Sequence, residues 1–101
     1  MQKLHSKETD NLFSAILSLK SIDECYDFFE DLCTIKELKD LSLRLEVASM
    51  LRDGKSYQEV TKETGVSAAT ICRVNKCLVY GNGYKTVFEK GEEKETGKNE
   101  D

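Results

Sequence analysis

YQEVTKETGVSAATICRVNK, residues 57–76, holds two short helical patterns separated by one glycine. Ser56 stands three residues before Glu59, which is the spacing of a capping box. Ser67 opens the second pattern as an N-cap. Gly65 supplies the left-handed backbone that a tight turn needs. Val60, Val66, Ile71 and Val74 are the apolar positions that pack the two helices together, and Thr61 takes the place where the helices cross. Two helices joined by such a turn make a helix-turn-helix. The second helix then presents Ser67, Ala68, Ala69, Cys72, Arg73 and Lys76 outward. Small residues at its leading end let the backbone approach base edges in a major groove. Ser67 can offer a hydroxyl and a helix N-terminus to phosphate. Arg73 and Lys76 can reach phosphates, and an arginine can also pair with a guanine. These positions predict contact with double-stranded DNA. Ala68, Ala69 and Thr70 are expected at bases, and Gln58, Thr61 and Lys62 near the backbone.

Upstream of this unit the pattern stays helical. A first helix is expected from about Lys7 to Leu19, with Leu12, Phe13, Ile16, Leu17 and Leu19 as its apolar stripe. Ser21 and Glu24 form a capping box that starts a second helix. Its apolar face is Ile22, Cys25, Tyr26, Phe29, Leu32 and Cys33. Thr34 and Glu37 form another box, opening a long helix that Gly54 stops near Asp53. This third helix carries Leu38, Leu41, Leu45 and Ala48 on one side and Leu43, Val47 and Met50 on another. A helix apolar on several sides must be covered on several sides. One chain of 101 residues has few elements left to do it, so a homodimer with extensive helix exchange is expected. Downstream, Gly81-Asn82-Gly83 ends the recognition helix near Tyr80. A last helix is expected over Tyr84 to Lys90. The reading is one helical domain over 1–90, its helix-turn-helix at about 56–80, and a disordered charged tail over 91–101.

Composition agrees with an all-α chain. Proline is absent, and only six glycines occur. No run of eighteen apolar residues is present and the N-terminus lacks the apolar core of a signal peptide, so no membrane partner and a cytoplasmic location are expected. His5 is the single histidine, which argues against a metal or hydrolase site. Cys25, Cys33, Cys72 and Cys77 lack metal-ligand spacing. An enzyme is not expected. The formal charge is −4, yet it is unevenly spread. Residues 23–31 hold five acids and no base, whereas residues 64–88 hold Arg73, Lys76 and Lys85 and no acid. That acid-free stretch coincides with the recognition helix.

Leu51-Arg52-Asp53-Gly54-Lys55-Ser56-Tyr57-Gln58-Glu59-Val60, followed by Gly65 and by Ala69-Thr70-Ile71-Cys72-Arg73, resembles the Trp repressor family, and within it the YerC/YecD-type subgroup. Thr34 and Arg44 fall where the family has a threonine and an arginine. The match covers roughly residues 30 to 80 well. The resemblance implies a six-helix, all-α Trp repressor-like fold, an intertwined dimer, and binding of a palindromic operator as a transcriptional repressor. It also implies a possible effector pocket at Thr34, Arg44, Arg73, Val74 and Cys77. In tryptophan-binding members the indole lies between two arginines, which correspond to Arg44 and Arg73. Here Val74 stands for their glycine, Cys77 for their serine, and Asp31 for a leucine. A β-branched side chain intrudes on the indole space, and a thiol is a poor hydrogen-bond partner. L-Tryptophan is therefore not the expected effector, although another small molecule could be one, and no cofactor is expected.

One reading of another class competes with DNA binding. A helical protein-interaction adaptor could keep the hairpin and dock through Asp23, Glu24, Asp27, Glu30 and Asp31. Salt-dependent DNA binding separates the two.

Overall fold

The computed structural model describes residues 5–100, with side chains described up to Glu93. Six helices follow one another: α1 (Lys7–Leu17), α2 (Ile22–Leu32), α3 (Ile35–Arg52), α4 (Tyr57–Thr64), α5 (Ala68–Tyr80) and α6 (Gly83–Glu100). No strand occurs among the described residues. The chain is all-α, with the six-helix succession that the resemblance implies.

Local chemistry sets most of the boundaries. The hydroxyls of Ser6, Ser21, Ser56 and Ser67 accept the backbone N–H three residues on, at 3.1, 3.1, 3.1 and 3.2 Å. Each such cap contributes about 0.5–2 kcal/mol. Thr34 and Glu37 make the full reciprocal box. Glu37 N–H donates to Thr34 Oγ1 at 3.1 Å, and Thr34 N–H donates to Glu37 Oε1 at 2.8 Å. In the box at Ser21 the return bond slips by one residue, since Glu24 Oε1 accepts from Lys20 N–H at 2.8 Å. Gly54 ends α3 at φ +91°, a conformation that a side chain would strain.

The Thr34 bonds have a consequence for titration. The backbone N–H of Thr34, and then its hydroxyl, hold the Glu37 carboxyl below its ordinary value near 4.5. A lowered folded-state pKa adds stability above the unfolded value and loses it as pH falls through the folded one. Wild type should therefore exceed Glu37→Gln in stability at neutral pH. The gap should close as pH drops below about 4.5, the usual glutamate range. Denaturant unfolding of both proteins across that range checks it, and a pH-independent gap would remove the charge from the explanation.

Two compact units are present, one ending at Leu38 and the other beginning at Lys39. In the first, α1 and α2 bury no residue, although they meet the apolar spacing that the sequence shows. Leu17 is 85% exposed, Ile22 75% and Ile35 78%. Phe28 and Phe29 make an edge-to-face pair, with ring centroids 5.6 Å apart. The second unit holds the core: Val47, Ala48, Met50, Val60, Ile71 and Val74, with Leu51, Val66, Leu78, Tyr84 and Phe88 packed around it. On α3 only Val47, Ala48 and Met50 are buried, whereas Leu41 and Leu45 are exposed within the single chain.

α6 departs from the sequence expectation. It runs to Glu100 rather than ending at Lys90, so the segment beyond residue 90, expected as a disordered tail, is helical as far as Glu100. Asp101 lies outside the described residues. The segment has no proline, and Gly91 costs a helix only about 1 kcal/mol. Arg52 also ties α6 down. Its guanidinium lies 5.0 Å from the centre of the Phe88 ring and pairs with Glu92, one turn further along. The Tyr84 and Phe88 rings stack at 6.3 Å, which fixes the first turns of α6 beside the core.

Candidate nucleic-acid interface

The turn between α4 and α5 is held from both sides. Gly65 has φ +75° and its N–H donates to Thr61 O at 2.8 Å. Thr64 Oγ1 donates to Val60 O at 2.7 Å and accepts Val66 N–H at 3.3 Å. One hydroxyl thus spans the turn. Sequence reasoning did not single out Thr64; its signal was a hydroxyl directly before the turn glycine. Beneath the turn, Val60 and Ile71 are wholly buried and Val74 is 2% exposed. These three side chains lock α5 against α4 and against α3 through Val47, Ala48 and Met50.

With Ile71 and Val74 inward, the 3.6-residue period turns the opposite face of α5 to solvent. Ser67, Ala68, Ala69, Cys72, Arg73 and Lys76 are all exposed, and Thr70 is half-buried. On α4, Gln58, Thr61 and Lys62 are exposed as well. Thr61 is thus at the surface and not in the helix crossing where the sequence reading put it. Its role in the turn is a backbone one, as acceptor for Gly65. The packing at the crossing comes from Val60, because α4 is only eight residues long and meets α5 along one side. No acid lies in the first turn of α5. The acids of α4 are engaged: Glu59 with Ser56 Oγ at 3.2 Å, and Glu63 with Lys55 Nζ at 3.2 Å. The exposed face of the recognition helix is therefore cationic in an overall anionic chain.

A pocket of about 300 Å³ lies behind the turn, lined by Asp40, Leu43, Arg44, Thr64, Gly65, Val66, Ser67 and Thr70. It contains Arg44 but not Arg73, Val74 or Cys77. Val74 points into the hydrophobic core, so it does not line this pocket. Cys77 is exposed as a free thiol. Thr34 is the N-cap of α3, with its hydroxyl used by Glu37. Among the described residues no cluster of metal-ligating side chains is found, and no helix is long and apolar enough to cross a membrane.

The model of the Trp repressor protein family matches residues 7–92, which spans all of this machinery. The chain belongs to the Trp repressor family. Its relatives include the uncharacterised Bacillus subtilis protein YerC, 54% identical over 97 residues, 95% of this chain and 93% of that one. A solved TrpR-like protein from Eubacterium eligens is 54% identical with a TM-score of 0.84, covering 89% of this chain and 94% of its own. A candidate Trp repressor from Staphylococcus aureus is 42% identical with a TM-score of 0.85, covering 90% and 92%. At these identities the family's helix order transfers to this chain, and the six helices above follow it. Membership in a family of repressors also fits a protein that is not an enzyme.

Proposed function

We propose that this Trp repressor family member is a sequence-specific, DNA-binding transcriptional regulator that acts as a repressor at a palindromic operator. The observation that carries the proposal is the exposed face of α5. It is free of acid, led by Ala68 and Ala69, and followed by Arg73 and Lys76, on a helix held by the Gly65 turn. Small residues admit the helix into a major groove, and the cations meet phosphates. A two-fold dimer would place two copies of α5 about one helical turn apart, roughly 34 Å. Lys76 is the phosphate contact in this reading. Lys76→Ala should weaken binding to all duplexes alike and flatten the salt dependence by about one counterion per subunit. Fluorescence anisotropy against salt concentration tests it. Binding that ignores salt would favour the protein-interaction adaptor.

The regulator is a homodimer in this proposal. α1 and α2 bury nothing in the single chain, while Phe13, Leu17, Ile22, Tyr26 and Leu32 remain exposed. Apolar surface of that extent on a soluble regulator requires a covering partner.

L-Tryptophan is not its effector. The Val74 side chain is taken up by the core where tryptophan-binding members have a glycine, and the Cys77 thiol, a poor hydrogen-bond partner, stands for their serine. Calorimetric titration should give weak or no binding. Micromolar affinity would show that the pocket tolerates both substitutions.

A further inference from the structure

We infer that a second cavity, between α3, α5 and the first half of α6, binds a small organic cation: a protonated amine carried on an apolar ring or chain. The cavity has a volume of about 410 Å³. Small-molecule sites span about 300–1,000 Å³. It lies wholly within the second compact unit and shares no residue with the pocket behind the turn. Leu51, Leu78 and Phe88 supply an apolar floor, and all three are half-buried. Arg52, Lys85, Glu89 and Glu92 stand around it. The centre of a subunit interface is depleted of charge, so this charged rim suits the mouth of a ligand site better than the seat of a second copy. Asn75, Leu78 and Val79 belong to α5. An amine seated here would therefore brace the recognition helix against α6.

The groups left unengaged decide the charge of the ligand. Arg52 is occupied: its guanidinium lies over the Phe88 ring and pairs with Glu92. Lys85 is occupied as well. Its Nζ donates to Val79 O at 3.1 Å, at the C-terminal end of α5, where a cation is favoured. That bond draws Lys85 away from Glu89, four residues on, with which a helix would otherwise pair it. Glu89 is exposed, and among the described residues it makes no ion pair or hydrogen bond. The half-buried Asn75 amide has no hydrogen-bond partner there either. A carboxylate accepts only, and an amide carbonyl accepts too. A protonated amine brings the donors that both can take and the charge that Glu89 is missing. An anion would instead meet Glu89 and would have to displace Glu92 from Arg52.

Titration of the full-length protein with phenethylamine, followed by calorimetry and by amide NMR, tests this site. Saturable binding is expected, with shifts centred on Asn75, Leu78, Phe88 and Glu89. Hydrocinnamate has a similar apolar body and the opposite charge, and it should bind at least about tenfold more weakly. Glu89→Gln keeps the shape and removes the charge. It should weaken the amine by about 3- to 10-fold, between what an exposed ion pair and a charged hydrogen bond contribute. Glu93→Gln makes the same change at an exposed carboxylate outside the cavity and should leave amine affinity as it is. No saturable binding of the amine overturns the inference, and is the result expected if a second copy covers the cavity. Equal binding of hydrocinnamate overturns it too, as do shifts centred elsewhere. So does a Glu93→Gln protein that loses as much affinity as Glu89→Gln.

Discussion

Ala69→Glu should abolish DNA binding and leave the fold intact. Ala69 is the second residue of α5 and is exposed, on the side opposite Ile71 and Val74. A glutamate there stays in water in the free protein and tolerates helix well. Thermal stability should therefore shift by no more than an ordinary surface substitution does, about 0.5 kcal/mol. In a complex the same carboxylate would face the negatively charged duplex at the point of closest approach. Like-charge juxtaposition at an interface costs several kcal/mol, so affinity should fall by at least about a hundredfold. A gel shift with a selected duplex, run beside circular dichroism, reads both halves. Retention of full affinity would mean that α5 does not lead the protein into the groove. The adaptor reading, docking through the exposed acids of α2, would then move ahead.

Assembly should respond as strongly. The described chain has a core of six buried side chains, all from Val47 onward. A core of that size cannot hold α1 and α2, which bury nothing. A second copy covering Phe13, Leu17, Ile22, Tyr26 and Leu32 would supply the missing burial in the proposed dimer. The melting temperature should therefore rise with protein concentration, because folding and association are one equilibrium. Leu17→Asp should remove the dimer and most of the cooperative transition with it. Leu17 makes little contact within its own chain, being 85% exposed, so a loss of stability there reports a partner. A monomer by sedimentation, with melting that ignores concentration, would exclude the dimer.

Much of this molecule was legible in its residues because the relevant forces are local. A hydroxyl three residues before the N–H it accepts defines the starts of α1, α2, α4 and α5, and the Thr34–Glu37 box opens α3. A glycine at positive φ defines the end of α3 and the turn after α4. These signals span three or four positions, and no distant contact is needed to form them. The outward set on α5 followed from the same source, since Ile71 and Val74 inward leave Ala69, Cys72, Arg73 and Lys76 outward by helical period alone.

Long-range packing decided what the residues alone could not. The apolar stripes of α1 and α2 predicted burial, and periodicity cannot say whether the same chain or a second one covers them. The tertiary structure shows that the same chain leaves them open. α6 passes its expected end because Arg52, some forty residues upstream, stacks on Phe88 and pairs with Glu92. Thr61 is exposed, so it lies outside the helix crossing, and Val74 is part of the core. Arg44 lines the pocket behind the turn, whose wall is built from three helices and a turn at once. Caps and turns depend on neighbours in the chain; burial depends on neighbours in space, and only the folded molecule specifies those.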